Sequence, residues 1–172
     1  MDRDGEAVRR RGDPELTSAS FVSADAPSVS RPSTKPAGLG IFTSTAANNG
    51  CSMWRTFLEI GTEASLHPRP WAVWDVRPSY DRPKVCEIDS AQTWCDLVQA
   101  YATLADGLLY PNWRAIAVDL DGVHMTLAAI VATQGFQFPN PAGPIAATYW
   151  DVEATLWLNW RFESVALREI LR

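Results

Sequence analysis

The chain has 172 residues, 47% of them hydrophobic, and a formal net charge of −5. This length suits one ordinary domain with a real core. The acidic balance argues against nucleic acid and against an anionic membrane as partners, because both select for clustered Lys and Arg. We therefore expect a small soluble protein with no membrane partner and without nucleic acid as its main ligand.

Residues 1–37 are predicted to form a disordered N-terminal tail. The segment contains three arginines at 9–11, scattered acids and a stretch rich in Ser, Pro and Ala, and Phe21 is its only aromatic residue. Such a composition buries too little apolar surface to offset the entropy lost on ordering. The arginine run is interpreted as part of a solvated tail rather than as a nucleic-acid arm. A single Trp-rich α+β domain is expected over residues 38–172.

The cysteines and the N-terminus predict a cytoplasmic setting. Cys51, Cys86 and Cys95 form no CxxC pair, their number is odd, and no apolar signal segment precedes them. A disulfide framework is therefore not expected. The protein is expected in a reducing compartment instead. Cys51, next to a predicted helix start, is the best placed of the three for a nucleophile, but a structural thiol is the favoured interpretation.

Hydrophobic spacing and turn residues predict several short elements in chain order. Ser52 is expected to cap a helix, Asp89 or Ser90 a second one, and Asn112 a third that ends near Asp119. Strands are predicted over 38–44, 71–76, 85–88, 123–131 and 155–162. The fold class is thus α+β, with short strands in a mostly antiparallel or mixed sheet and two or three helices.

A divalent metal site is one interpretation of Asp119, Asp121 and His124. Two carboxylates and an imidazole within six residues are possible ligands. The favoured interpretation is structural, because Asp119 ends a helix, Asp121 starts a turn and further ligands are not evident. No metal is expected.

Two distant segments form the main candidate site. One supplies hydroxyls at the end of the first predicted strand, and the other supplies carboxylates and aromatic rings at the start of the last. A hydroxyl there can orient a carboxylate or a ribose, and a carboxylate beside aromatic rings can stabilise a developing cation. Turn hydrogen bonds and solvent exposure are the alternative interpretation. The candidate residues are Ser44, Thr45, Tyr149, Trp150, Asp151 and Glu153.

The order of several motifs resembles a loose set of uncharacterised bacterial and phage proteins. In that set a KPxGLWxS strand, a GWxxW helix, a DW…YDGI helix–turn–strand and a WD…W strand follow one another. The matching segments here lie within residues 35–162 and are KPAGLGIFTS (35–44), SMWRTF (52–57), YPNWRAIA (110–117), DGVHM (121–125) and YWDVEATLW (149–157).

The same layout resembles mono-ADP-ribosyltransferases of the Arg/Ser-Thr-Ser/Glu kind. The resemblance implies that Glu153 is the catalytic carboxylate, that Asp151 stands for the first Glu of a Glu-x-Glu pair, and that Ser44 supports a NAD site. It also implies an NAD-binding arginine on an earlier strand. Only the predicted tail precedes residue 38, and Arg31 is poorly suited to that role. Thr-Ser-Thr replaces Ser-Thr-Ser at 43–45, which also departs from the family.

Two functional hypotheses result. The first is a structural or interaction role with no assignable activity, an unknown partner and no cofactor. The alternative is a NAD-dependent ADP-ribosyltransferase-like enzyme, which the missing motif residues would make degenerate. Under the alternative, the catalytic residues are Glu153, Ser44 and Asp151, and the cofactor-binding residues are Thr45, Trp150 and Tyr149.

Overall fold

The computed structural model describes residues 5–10, 15–23, 32–36, 38–45, 51–60, 69–79 and 81–172. Four α-helices and nine strands occur in this part of the chain. The helices are α1 (Met53–Ile60), α2 (Ala91–Ala100), α3 (Trp113–Asp119) and α4 (Leu127–Thr133). The strands are β1 (Gly5–Arg10), β2 (Ile41–Thr45), β3 (Trp71–Pro78), β4 (Val85–Ile88), β5 (Ala102–Ala105), β6 (Leu108–Pro111), β7 (Gly122–Met125), β8 (Ala154–Trp157) and β9 (Phe162–Leu171).

Seven strands form one mixed sheet in the order β4-β7-β8-β2-β1-β3-β9. β4 and β7 pair in parallel, and the other neighbours pair antiparallel. β5 and β6 form a separate two-stranded hairpin. The prediction of an α+β fold with a mostly antiparallel sheet is confirmed.

Two helices begin where local capping chemistry predicts. The Ser90 side chain accepts a hydrogen bond from the Thr93 amide at the start of α2, and the Asn112 side chain accepts one from the Ala115 amide at the start of α3. Each cap satisfies an amide that the first helical turn leaves without a partner. The inward face of α2 consists of Trp94, Leu97 and Val98, all buried.

The predicted strand over 123–131 was wrong in its second half. β7 ends at Met125. The Thr126 side chain then accepts a hydrogen bond from the Ala129 amide and caps the start of α4. A continuous apolar run has no period that separates strand from helix. The Thr126 cap and the alanines of α4 favour the helix, which brings the number of helices to four rather than two or three.

β1 lies within the segment that composition assigns to a disordered tail. Gly5–Arg10 occupies an interior position of the sheet, with six register pairs to β3 from Gly5↔Val76 to Arg10↔Trp71. Leu16 and Thr34, also before residue 38, are buried. At these residues the structure therefore differs from the expectation. Composition misses such a strand because the ladder hydrogen bonds that hold it come from partners far away in the chain.

A glycine permits the close approach of β2 to β8. Gly40 has a φ of +62°, and a Cβ there would lie 2.1 Å from the Trp157 carbonyl oxygen. The left-handed conformation and the lack of a side chain are both needed at this point. β2 then pairs with β8 in the register Ile41↔Trp157 to Thr43↔Thr155.

The sheet separates two apolar clusters. Along β8, Ala154 and Leu156 belong to the cluster that also contains buried residues of α2, α3 and α4, whereas Trp157 belongs to the second. Successive strand residues point to opposite faces. Thr155 therefore shares the face of Trp157, away from the helices. The second cluster contains Ala7, Leu16, Ile41, Ala72, Trp74, Val76, Trp157 and Phe162.

Candidate functional site

Ser44 and Glu153, predicted from two distant segments, lie next to each other. They stand at the end of β2 and just before β8, which are neighbours in the sheet. The Ser44 hydroxyl is buried and donates a hydrogen bond to the Glu153 main-chain carbonyl at 3.1 Å. Antiparallel pairing brings the two segments together, since the end of β2 faces the start of β8.

The Glu153 carboxylate points to the start of α4. Its Oε2 accepts a hydrogen bond from the Leu127 amide at 2.8 Å. An acidic group at this position satisfies a free amide and interacts favourably with the positive end of the helix dipole. The side chain remains about one-third exposed. Glu153 thus ties the β8 segment to α4, a role that its position in the sequence does not reveal.

His124 completes a polar cluster beside Glu153. Its Nδ1 lies 3.0 Å from the Thr155 hydroxyl, and its Nε2 lies 4.0 Å from Glu153 Oε1. The β7–β8 register sets His124 directly opposite Thr155, and both side chains are buried. We call His124, Glu153 and Thr155 the β7–β8 polar cluster. An imidazole between a hydroxyl and a carboxylate has the components of general-base chemistry.

Thr155 was not among the predicted site residues. The alternation of β8 alone gives no reason to single it out. Only the register of β8 on β7 pairs it with His124. A sequence signal would have had to predict that register, which depends on residues about thirty positions apart.

Asp151 and Trp150 do not join this cluster. The Asp151 carboxylate forms a salt bridge with Lys35. Trp150 is 1% exposed, and its indole N–H donates to the Thr34 carbonyl at 3.0 Å. Both residues therefore fasten the segment around residues 33–36 to the domain, as a buried aromatic with a satisfied N–H commonly does.

Tyr149 and Thr45 are exposed. The Tyr149 side chain is 62% exposed on the surface after the Gln134–Thr148 bridge, and Thr45 ends β2. Of the six predicted residues, the structure therefore brings Ser44 and Glu153 into direct contact. The others serve packing, an ion pair or the surface.

The three residues considered for a metal do not converge. The Tyr101 hydroxyl donates to Asp119 at 2.9 Å, the Arg161 Nε donates to Asp121 at 2.7 Å, and His124 is in the β7–β8 polar cluster. Within the described ranges, no group of three or more His, Cys, Asp or Glu residues could hold a metal ion.

A second polar region lies at the end of the sheet where β8 turns into β9. Its cavity has a volume of about 230 Å³. Residues from three parts of the chain line it, at 79 and 81–84, at 118–121, and at 159 and 161. We call this region the charged cleft, and its lining residues are Ser79, Asp81, Arg82, Pro83, Lys84, Val118, Asp119, Leu120, Asp121, Asn159 and Arg161.

Asp121 organises the charged cleft. Burial by itself would raise the pKa of its carboxyl, but the Arg161 guanidinium, the Lys84 amide and the Asn159 side chain together lower that pKa below the ordinary 3.8. The Lys84 amide donates at 2.8 Å, and the Asp121 carbonyl accepts the Leu158 and Asn159 amides. The carboxylate therefore stays ionised well into the acidic range.

We expect Asp121→Asn to lower the free energy of unfolding at neutral pH by about 1–2 kcal/mol, because a charged hydrogen-bond acceptor is lost. A carboxyl whose folded-state pKa is lowered contributes stability above its unfolded value of 3.8, and loses it as the pH falls through the folded pKa. The difference between the wild type and the variant should therefore shrink below about pH 4. Urea unfolding across pH measures it, with Asp81→Asn at an exposed position as control. A difference that persists unchanged at low pH would contradict the ionic origin.

Two of the thiols are unsuited to nucleophilic chemistry. Burial raises the pKa of Cys86, and burial together with the nearby Asp96 raises the pKa of Cys95. Both remain protonated at neutral pH. The Cys51 Sγ lies 3.7 Å from the Thr56 hydroxyl. Cys51 immediately precedes Ser52, whose side chain caps α1 by accepting a hydrogen bond from the Arg55 amide.

Comparisons of the chain with family models, with curated proteins and with solved structures give no match. Within the part of the chain that the structure describes, no helix is both long enough and apolar enough to cross a membrane.

Proposed function

We propose that this protein has a structural or interaction role, exerted through the outer face of α4. The observation that carries the proposal is the composition of that helix, LAAIVAT, which contains no charged residue. Its inward residues are buried, yet Leu127, Ala128, Val131 and Ala132 are exposed. A helix that is apolar on all sides is typical of buried positions. Because one side of α4 is exposed in the single chain, we infer that another molecule covers that side.

The apolar surface continues beyond the helix. Phe136 follows α4 and is 60% exposed, and Tyr149, 62% exposed, directly follows Thr148, which bridges to Gln134 at the end of α4. We call α4 together with Phe136 and Tyr149 the α4 face. Large apolar side chains exposed in neighbouring segments favour an interaction surface.

The occupant that we propose is a second copy of the chain. The α4 helix carries no charge that would be repelled by its own image across a two-fold axis. Leu127 and Val131 form one i, i+4 row of larger side chains, and Ala128 and Ala132 form a row of small ones beside it. Two antiparallel copies can therefore pack large side chains of one helix against small ones of the other. Such a self-complementary contact is what a symmetric dimer requires.

We expect Val131→Glu to weaken self-association at least about tenfold, because a two-fold axis would bring two carboxylates into one apolar contact. Val131 is 73% exposed, so the isolated chain should fold normally. Ile60→Glu is the matched control, since Ile60 is 75% exposed at the end of α1. Sedimentation equilibrium over a concentration series measures both variants. A wild-type chain that stays monomeric, or a Val131→Glu chain that associates like the control, would contradict the proposal.

A second candidate function is a NAD-dependent ADP-ribosyltransferase-like activity. Two observations support it. The Ser44 hydroxyl and the Glu153 segment are hydrogen-bonded neighbours. β1, whose sequence contains Arg9 and Arg10, supplies a strand that precedes β2 and pairs with it. The resemblance requires an arginine-bearing strand at that place, which the disordered-tail expectation did not provide.

Calorimetric titration with NAD tests the second candidate. Under this hypothesis NAD binds the wild type, nicotinamide leaves, and the ADP-ribosyl group passes to water or to a nucleophile of a target, which gives up its proton. Glu153→Gln retains binding but loses at least about a hundredfold in the rate of nicotinamide release. Gln keeps an oxygen that can accept the Leu127 amide, so α4 should remain capped. Glu163→Gln, at an exposed position of β9, is the matched control for a general loss of negative charge. No heat of binding at millimolar NAD would contradict the hypothesis, since a cofactor site must bind its cofactor.

We propose a cytoplasmic location. Support comes from Cys86 and Cys95, which are free thiols in the structure, as suits a reducing compartment. Fractionation of the cells that produce the protein, with cytoplasmic and secreted marker proteins alongside, tests this proposal.

A further inference from the structure

The charged cleft contains the Arg161 guanidinium, whose Nε donates within the chain and whose terminal amino groups are available to a ligand. Arg161 donates through Nε to Asp121, whose side chain is only 10% exposed and is itself fixed by the Lys84 amide. The Arg161 side chain is half exposed and lines the cavity. Among the described residues, its terminal amino groups have no hydrogen-bond partner. A guanidinium fixed in this way presents donors in the geometry that a carboxylate accepts.

Two further cations stand on the same cavity. Arg82 and Lys84 are exposed and form no salt bridge within the described ranges. Arg82 has a left-handed backbone with a φ of +43°, so its place in the β3–β4 connection is defined by a turn rather than by an extended chain. Together with Arg161 they give the cavity three positive groups, of which one is neutralised by Asp121.

Two carboxylates besides Asp121 line the cavity, Asp119 at the end of α3 and Asp81. The Tyr101 hydroxyl holds Asp119 Oδ2 at 2.9 Å, which orients the carboxylate and leaves Oδ1 available. The cavity therefore carries three cations and three carboxylates, and the Arg161–Asp121 pair is satisfied within the chain. A net-neutral arrangement with separate positive and negative groups does not favour a simple anion. It suits a ligand that itself bears both charges.

We propose that the charged cleft binds a small zwitterion of the free α-amino acid class. Its carboxylate would lie against Arg161, with Arg82 and Lys84 nearby, and its ammonium group would lie against Asp119. The volume of about 230 Å³ is below the ~300 Å³ at which sites for drug-sized ligands begin, and so suits a molecule of amino-acid size. Val118, which is 81% exposed, and Pro83 provide apolar contact for an aliphatic side chain.

The experiment titrates the full chain with each standard amino acid at up to ~10 mM, followed by amide chemical shifts, since affinities in the millimolar range are detected there. The expected result is binding of at least one amino acid with shifts confined to the three lining segments. Its N-acetyl derivative, which lacks the ammonium group, and its amide, which lacks the carboxylate, should each bind at least about tenfold more weakly.

Variants separate the cleft from the rest of the surface. Arg161→Gln and Asp119→Asn should each weaken binding about tenfold or more, because each removes one charged partner. Arg172→Gln is the matched control, because Arg172 follows the far end of β9, ten residues from the cleft side. Binding of no amino acid would overturn the proposal. Equal binding of the N-acetyl derivative or of inorganic phosphate would overturn it in favour of an anion site.

Discussion

Deletion of residues 1–10 is expected to abolish cooperative unfolding of the whole domain. β1 lies between β2 and β3, so its loss separates β3 and β9 from the four strands β4, β7, β8 and β2. The backbone groups of β2 and β3 that face β1 would lose their partners, and buried unpaired groups each cost about 1–3 kcal/mol. Several such losses exceed the total stability of an ordinary domain, about 5–15 kcal/mol.

Circular dichroism during thermal unfolding measures the effect of this deletion. A chain that lacks only residues 2–4 keeps β1 and is the control. A deletion variant that melts as sharply and at the same temperature as the control would show that residues 5–10 are dispensable, as a disordered tail would be. If β1 holds the sheet together, the deletion removes the cooperative thermal transition. If residues 1–10 are a dispensable tail, the transition stays as sharp and at the same temperature.

Glu6→Ala is expected to lower the free energy of unfolding by about 3 kcal/mol. Glu6 is 1% exposed, accepts a hydrogen bond from the Ser52 hydroxyl, and pairs with Arg168 at 3.3 Å. Its removal leaves the Ser52 hydroxyl without its acceptor, in a buried place. Arg168 is one-third exposed and also contacts Asp75 at 3.5 Å, which keeps the cost at the lower end for a broken buried pair.

Two matched variants identify the source of this loss. Glu6→Gln retains an oxygen that can accept the Ser52 hydroxyl, so it should cost about 1–2 kcal/mol less than Glu6→Ala. Glu163→Ala, at an exposed position of β9, should change stability by less than about 0.5 kcal/mol. Equal effects of Glu6→Ala and Glu163→Ala in urea unfolding would mean that Glu6 is not the buried link between β1, α1 and β9.

Features that depend on neighbours in the sequence were predicted well. The caps at Ser90 and Asn112 act on amides three residues further along the chain, and the burial of Trp94, Leu97 and Val98 follows from helical spacing. These signals are complete within one or two helical turns. The same holds for β4, which spans Val85–Ile88 as predicted.

Features that depend on pairing across the sheet were not available from the sequence. The polar composition around β1 indicates a tail, yet β2 and β3 hold it by ladder hydrogen bonds. Likewise, the period of residues 123–131 does not distinguish strand from helix, and the division at Thr126 depends on how β7 pairs with β8.

For the candidate site, hydroxyls and carboxylates at two strand ends, with Ser44 and Glu153 among them, could be predicted from the sequence. The contact between these two residues, the cap that Glu153 forms on α4 and the pairing of His124 with Thr155 depend on the folded chain. The charged cleft likewise exists only where folding brings three separate segments together. This difference follows from the range of the interactions. Helical order is set within four residues, whereas sheet register joins residues that are up to about a hundred positions apart.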